Sequence, residues 1–160
     1  PDFFDKHPSC SYVTCCVKKK NLEVCAQCDE FPCSKFRSWL EDGGQYDSFL
    51  THRKARHNLD FIGKHGLEKF LKQQRSRIGL LETMMRNFDD GRSKSFYCIA
   101  ATLLPIDGLE ISLKQTGQRL RADKIGLDDV KTKSRILKGF LEDFGKREGI
   151  ELKLRKKAKT

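Results

Sequence analysis

Hydrophobic residues recur at steps of three and four along most of this chain, which is the period of amphipathic α-helices. The clearest stretch predicts a helix of about six turns, and its apolar face comprises Leu67, Phe70, Leu71, Ile78, Leu81, Met85 and Phe88. The sequence Asp89-Asp90-Gly91 then signals a turn. A helix over about residues 96–104 follows, and Pro105 ends it. Because this helix is apolar nearly all round, we expect it at the centre of the core.

Two further helices are predicted after Pro105. One begins at Asp107-Gly108 and fades near Gly126, and the other begins at Asp128 or Asp129 and ends at Gly149. The apolar residues that follow alternate with charged ones, which is the period of a strand: Ile150, Leu152 and Leu154. Since a single strand without a partner is marginal, we expect an extended segment that lies along the helices.

Shorter helices are predicted before residue 67. One begins at Ser34 and stops at Gly43-Gly44, a second is capped by Asp47 and runs through residues 53–56, and a short piece ends at His65-Gly66. The predicted fold is mainly α, with a small Cys-rich metal knuckle packed on a compact bundle of four or five helices. The predicted divisions are a metal-binding segment (residues 1–33), a helical domain (34–152) and a basic tail (153–160).

Cysteines are crowded at one end of the chain. Six of the seven fall inside the run Cys10-x4-Cys15-Cys16-x8-Cys25-x2-Cys28-x4-Cys33. This segment has few large apolar residues, and a structural zinc ion can fold a segment too small to fold alone. The candidate ligands are Cys10, Cys15, Cys25, Cys28 and Cys33. Because Cys15 and Cys16 are adjacent they project differently, so we expect only one of them to ligate. A zinc site has four ligand positions, and the candidates to fill them are these five cysteines, or His7 with some of them.

Other chemistries remain open for these thiols. An iron–sulfur cluster also takes four thiolates, but the close-set run of a ferredoxin is absent, so ligand type and spacing favour zinc. A redox dithiol at Cys25-x2-Cys28 needs a βαβ setting, which the sequence does not predict. Unmetallated reduced thiols are the remaining alternative. An iron–sulfur or thiol-based redox sensor is therefore the rival to a zinc protein.

The charge of the chain favours anionic partners. The formal net charge is +10 over 160 residues, which attracts polyanions such as nucleic acid. The last eight residues hold Lys153, Arg155, Lys156, Lys157 and Lys159, and further cations lie on predicted helix faces: Arg53, Lys54, Arg56, Lys72, Arg75 and Arg77. No apolar run is long enough for a membrane span and no hydrophobic signal segment opens the chain, so we expect a cytoplasmic protein. The oligomeric state is left open.

A second candidate site precedes the apolar helix at residues 96–104. Ser93 or Ser95 is the expected N-cap, and Arg92, Ser93, Lys94 and Ser95 together could bind an anion at the helix start. The alternative is an ordinary turn with a capping serine. An enzyme that acts on a phosphorylated small molecule would use this turn. No catalytic set is predicted elsewhere, and Cys98 is expected to be a core residue.

The cysteine block resembles a bacterial and archaeal Cys-rich family of unknown function. The resemblance rests on the cysteine spacing, on Asp29-Glu30-Phe31-Pro32-Cys33, and on residues 90–98 and 149–157. It implies metal binding and a prokaryotic, cytoplasmic origin, but no reaction. Members typically begin with a further cysteine group. Nothing here precedes Pro1, so a second metal site that such a group would form is expected to be missing.

Overall fold

The computed structural model describes residues 10–36 and 52–155, which form helices and connecting turns without a strand. The helices are α1 (Ser11–Val13), α2 (His52–His65), α3 (Leu67–Phe88), α4 (Lys94–Leu103), α5 (Ile106–Ala122) and α6 (Val130–Arg147). A π-helical turn, Thr14–Lys19, continues α1, and a 3₁₀ turn follows at Cys25–Gln27. The prediction of a mainly helical protein is confirmed. No helix in the described ranges is long and apolar enough to cross a membrane.

Contacts along the chain divide it into two compact units. The first, which we name the cysteine unit, comprises residues 1–45 and 55–70. The second, the helical unit, comprises residues 46–54 and 71–160. Helices α2 and α3 therefore each supply residues to both units. The domain boundaries predicted from the sequence stay predictions.

The helical unit has a core built from four helices and the residue that follows α4. Its buried cluster consists of Met84, Phe88, Tyr97, Ala100, Ala101, Leu104, Leu109, Leu137, Leu141 and Phe144. Burying each large apolar side chain stabilises the fold by about 1.5–3 kcal/mol. Helix α4 contributes Tyr97, Ala100 and Ala101 to this cluster. Its predicted place in the core is confirmed.

Helices α5 and α6 pack closely because α5 carries small residues where they meet. The ring of Phe144 lies only 2.4 Å from where a Cβ on Gly108 would be, so only glycine fits there. The buried hydroxyls of Ser112 and Thr116 donate to the carbonyls of Gly108 and Ser112, at 2.8 and 2.7 Å. These bonds satisfy both hydroxyls inside the interface.

One residue of the predicted apolar face of α3 is exposed. Ile78 is 55% exposed, so its assignment to that face was wrong. On α3 the inward position belongs to the neighbouring Arg77, which donates to the carbonyls of Ala101 and Leu104, the latter at 2.6 Å. Both carbonyls lie at the end of α4, and the last carbonyls of a helix have no N–H partner within the helix. Because the Arg77 guanidinium bonds to both carbonyls, it can occupy an inward position where an apolar side chain was expected.

The chain leaves α6 through a Schellman turn. Gly149 has φ +66°, and the N–H groups of Gly149 and Ile150 donate to Lys146 and Gly145. Ile150 and Leu152 then pack against the core. Arg53 donates to the carbonyl of Glu151 at 2.9 Å and to that of Lys153 at 2.6 Å. Residues 150–155 form neither a helix nor a strand, and the prediction that this segment is extended stays a prediction.

The predicted short helices are described only in part. Residues 34–36 form a helical turn, whereas the rest of that helix, the Gly43-Gly44 stop and the Asp47 cap lie outside the described residues. The region from His52 to His65 is one continuous helix, although the sequence predicted two pieces there. It ends where Gly66 adopts φ +86°.

Candidate metal centre

Cys15 and Cys16 lie on a turn that is wider than an α-helix. The N–H of Lys20 donates to the carbonyl of Cys15 at 3.1 Å, and that of Leu22 donates to the carbonyl of Cys16 at 3.0 Å. These bonds span five and six residues, in place of the four of an α-helix. Asn21, at φ 52°, ends the turn in the left-handed conformation that asparagine tolerates. The wide turn fixes the backbone of both cysteines.

A tight turn brings Cys25 and Cys28 to the same side of the chain. The N–H of Cys28 donates to the carbonyl of Cys25 at 3.1 Å. The side-chain oxygen of Gln27 reaches back to accept from the N–H groups of Glu23 and Val24, at 2.9 and 3.2 Å. A second turn follows, in which the N–H of Phe31 donates to the carbonyl of Cys28 at 2.9 Å. A Cys-x2-Cys turn of this kind presents two sulfurs to one ion.

The two turns surround a small pocket in the cysteine unit. Its volume is about 30 Å³, and the residues that line it include Cys15, Cys16, Cys25, Cys28 and Cys33. All five cysteines are free thiols. A cavity of this size has room for about two water-sized particles. The fold thus places around one pocket cysteines that lie up to 18 positions apart in sequence (33 − 15).

Aromatic side chains form the wall of the pocket. The ring of Phe36, which is buried, lies 5.0 Å from the ring of Tyr12 and 5.1 Å from that of Phe31. The hydroxyl of Tyr12 donates to the carbonyl of Lys35 at 3.0 Å. Helix α2 covers the other face of Phe31, where the Arg56 guanidinium lies 5.6 Å from the ring centre and pairs with Asp60 at 2.9 Å. These contacts give the thiols a largely apolar setting.

Burial and the neighbouring thiols raise the pKa of the Cys25 thiol. Burial has the largest effect, the thiols of Cys16, Cys33 and Cys15 follow in that order, and together they bring the pKa to about 12. Burial also raises the pKa of Tyr12, with smaller contributions from Cys10, Cys33 and Cys25. Ionising one thiol beside the others is costly while no cation is near. The pocket therefore favours either neutral thiols or thiolates around a cation.

One cation does reach the sulfurs. The ammonium of Lys20 lies 3.2 Å from the sulfur of Cys28 and 2.8 Å from a carboxylate oxygen of Glu30. Its bonds to Glu30 and, secondly, Cys28 raise the pKa of Lys20. Lys20 stays charged and donates a charge-assisted bond to the sulfur.

Four of the five predicted ligands line the pocket, namely Cys15, Cys25, Cys28 and Cys33. Cys10 is exposed and does not line it, while Cys16 does. No pattern in the sequence distinguishes Cys16 from Cys15 as a pocket residue, and none identifies Lys20. His7 lies outside the described residues.

The thiols lie near one another without forming a coordination shell. Among the described side chains, no three Cys, His, Asp or Glu groups are close enough together to hold a metal as they are placed. Sulfurs around one zinc ion lie about 3.8 Å apart, since Zn–S bonds are about 2.3 Å long. Thiols are the donor type that zinc takes, but as these side chains are placed they do not form a zinc site.

At the predicted anion site, the backbone N–H groups of Arg92 and Ser93 are already engaged. Asp89 accepts from the N–H groups of Gly91 and Ser93, at 3.1 and 3.3 Å, and Asp90 accepts from the N–H of Arg92 at 3.0 Å. The hydroxyl of Ser93 is buried and bonds to Asp90 and, at 2.7 Å, to Ser134. Lys94 and Ser95 are exposed, and anion binding by residues 92–95 stays a prediction.

Several cationic side chains that were predicted to lie on the surface form hydrogen bonds within the protein. Arg53, Arg56 and Arg77 bond to backbone carbonyls or to Asp60. Lys72 and Arg75 are exposed, as are Lys18 and Lys19 beside the cysteine pocket. Cys98 is half-buried in α4, away from the pocket lining. Lys156, Lys157 and Lys159 of the basic tail lie outside the described residues.

Comparison of the chain with models of known protein families, with curated protein sequences and with solved structures finds no match. The resemblance to a Cys-rich prokaryotic family therefore rests on the residues quoted for it and stays a prediction.

Proposed function

We propose that this protein is a zinc-binding protein in which thiolates of the cysteine unit hold one structural ion. The observation that carries the proposal is that five cysteines with free thiols line one small pocket. They lie on separate turns, and aromatic side chains form part of the pocket wall. A closed site of four thiolates is the usual form of a structural zinc centre.

Ligand type and cysteine spacing favour zinc over an iron–sulfur cluster. Thiolates suit zinc as well as iron, but the close-set cysteine run of a ferredoxin is absent from the sequence. An iron–sulfur or thiol-based redox protein is the alternative.

The proposed zinc ion explains why residues 10–36 can fold at all. Only Cys16 and Phe36 are buried hydrophobic residues in this segment, and so few cannot support a core of their own. Binding of the ion would supply the missing free energy. We propose accordingly that this segment is a zinc knuckle carried on a helical body of four or five helices, in a reducing, cytoplasmic environment.

We further propose that the protein is a non-catalytic binding protein with an anionic partner, in the first instance nucleic acid. The net charge of +10 supports this, as do the exposed cations Lys18, Lys19, Lys72 and Arg75. Fluorescence anisotropy with a labelled RNA and a labelled DNA tests it. Deleting residues 153–160 is expected to weaken binding and to flatten its salt dependence. Absence of binding to either nucleic acid at moderate salt would refute this partner.

Metal analysis by mass spectrometry, with an absorption spectrum, tests the zinc proposal on protein purified without oxygen. We expect about one zinc per chain and no visible colour, because zinc–thiolate sites do not absorb visible light. Iron with a broad absorption band in the visible range would establish the iron–sulfur alternative. Protein without bound metal that stays folded would refute both.

A further inference from the structure

We propose that residues 150–155, together with Arg53 and Lys54 of α2, form one cationic surface that binds the phosphate backbone of a nucleic acid. Lys153 and Arg155 are its phosphate contacts. This inference rests on the proposed nucleic-acid partner and gives that partner a place on the protein. All of these residues belong to the helical unit. The basic tail predicted for residues 153–160 therefore begins on the body of the protein.

The segment 150–155 is fixed to the helical unit by apolar packing. Ile150 and Leu152 pack against the core. Their backbone comes so close to α6 that a Cβ on Gly145 would lie 2.9 Å from the carbonyl oxygen of Ile150. The residues that follow them, from 153 to 155, are exposed. Packing thus fixes the start of the segment and leaves its cations in solvent.

The Arg53 guanidinium holds the same segment from α2. It donates to the carbonyl of Glu151 at 2.9 Å and to that of Lys153 at 2.6 Å. Arg53 and Lys153 are 100 positions apart in the sequence, so these bonds attach the segment to the first turn of α2. Side chains on a backbone held in this way lose less conformational entropy when they bind a partner.

Glu151 lies between the two cations of the segment. Its carboxylate is 3.0 Å from the Lys153 ammonium and 3.2 Å from the Arg155 guanidinium. The bond from Lys153 and, secondly, that from Arg155 lower the pKa of Glu151, so the carboxylate is ionised at neutral pH. One carboxylate shared by two exposed cations leaves a net positive charge. Phosphate oxygens accept the same charge-assisted hydrogen bonds as a carboxylate.

A half-buried cation on α2 adds to this charge. Among the described residues, no group forms a hydrogen bond or an ion pair with the ammonium of Lys54, the residue after Arg53. Burial and, secondly, the Arg77 guanidinium lower the pKa of Lys54. Cations that lie near one another are stabilised when an anion is close to them. A polyanion at this surface would supply that negative charge.

The chemistry of the segment suits a nucleic acid better than a membrane. Leu154 is 51% exposed and lies between the two cations in sequence. An apolar side chain in this setting can contact bases while its neighbours bind phosphates. A segment that lies on a membrane usually presents the apolar face of a helix, whereas residues 150–155 form no helix.

Fluorescence anisotropy with a labelled RNA and a labelled DNA, measured over a range of salt concentrations, tests this surface. The test variant is the double replacement Lys153→Gln/Arg155→Gln. We expect its affinity to fall about tenfold or more. The slope of log affinity against log salt should flatten by about 1.5–2, because each phosphate contact contributes about 0.7–0.9 to it.

The matched control is Lys114→Gln/Arg121→Gln, which makes the same charge change at two exposed residues of α5. We expect this variant to bind within about threefold of the wild type, since charges away from the contact surface are screened by salt. Circular dichroism checks that both double variants keep their helix content.

A gain of binding distinguishes this surface from a loss of folding. Glu151→Gln removes the carboxylate that competes with phosphate for Lys153 and Arg155. We expect it to tighten binding about threefold, which corresponds to the strength of an exposed ion pair. Glu110→Gln removes an exposed carboxylate from α5 and should leave the affinity close to that of the wild type.

Equal losses in the two double variants, or equal affinities of Glu151→Gln and Glu110→Gln, would overturn this surface and leave the nucleic-acid partner in place. Tighter binding of the wild type to vesicles of phosphatidylserine and phosphatidylcholine than to either nucleic acid would overturn the choice of partner for it. If the wild type binds neither nucleic acid, the proposed partner has failed and the surface with it, which is a different result.

Discussion

The ammonium of Lys20 lies 3.2 Å from the sulfur of Cys28. Four thiolates around a zinc ion carry two net negative charges, and a cation bonded to one sulfur offsets part of them. Glu30 holds the ammonium in place at 2.8 Å. In the proposed zinc site, Lys20 would therefore act through Cys28 and would not bind the metal itself.

Replacing Lys20 with methionine is expected to weaken zinc binding about tenfold or more, the usual cost of losing an outer-shell partner. The ion count should stay at one per chain, because no ligand is lost. Competition with a chromophoric chelator measures the affinity. Lys19→Met is the matched control, since Lys19 is the exposed neighbour on the same turn. Equal affinities for the two variants would show that the Lys20 contact has no effect on the metal.

The raised pKa of Cys25 predicts slow alkylation in the metal-free protein. The thiolate is the reactive form, and with a pKa of about 12 it is scarce at pH 8. We expect iodoacetamide to modify Cys25 at least tenfold more slowly than the exposed Cys10. The rate should rise about tenfold for each pH unit below 12. Mass spectrometry of the labelled peptides measures both rates.

Unfolding the protein in urea is the control for this experiment, because it should bring the labelling rates of Cys25 and Cys10 together. Equal rates in the folded protein would mean that Cys25 does not lie among the other thiols. The cluster would then have to be abandoned, whatever the metal content.

The buried hydroxyl of Tyr97 stabilises the end of α3. It donates to the carbonyl of Phe88 at 3.1 Å and bonds to Ser134 at 2.9 Å. Tyr97→Phe leaves that carbonyl without a donor, and we expect the free energy of unfolding to fall by about 1–3 kcal/mol. Urea denaturation followed by circular dichroism measures it. The exposed Ser95 on the same helix provides a control, Ser95→Ala, which should change stability by less than about 0.5 kcal/mol. A similar small change for Tyr97→Phe would contradict this role.

The contact between Gly108 and Phe144 predicts a steric effect. A methyl group on Gly108 would lie 2.4 Å from the ring, so Gly108→Ala is expected to destabilise the protein by about 1–3 kcal/mol. Gly117 lies on the same helix, and its nearest neighbour would be the Arg121 side chain at 3.7 Å. Gly117→Ala should therefore stabilise the helix by about 0.5–1 kcal/mol. Thermal unfolding of the two variants compares them, and the same sign for both would refute the packing described here.

The helices after residue 66 could be predicted from the sequence because their periodicity is strong and their ends carry Gly91, Pro105, Asp129 and Gly149. The inward faces were harder to predict. Arg77 takes an inner position that hydrophobicity assigns to Ile78, because it satisfies the free carbonyls at the end of α4. Periodicity contains no information about such carbonyls.

Most of the cysteines that line the pocket could be predicted from the sequence, but the backbone geometry that places them could not. Spacing identified Cys25-x2-Cys28 and Cys33 as partners, and they do line one pocket. The choice between Cys15 and Cys16 depends on a π-helical turn, which no local pattern in the sequence indicates. The position of Lys20 depends on the same turn. Backbone geometry of this kind is set by the packing of the whole unit.

Titration of zinc into the metal-free protein, with a competing chelator to report the free ion, tests the central claim most directly. We expect saturation at one zinc per chain with a dissociation constant below about 100 nM, the range of structural thiolate sites. We also expect that Cys28→Ser abolishes this binding, while Cys98→Ser, which removes a thiol outside the pocket, leaves it unchanged. Binding at micromolar zinc or weaker, or equal affinity in the two variants, would contradict a zinc site built from the cysteine unit.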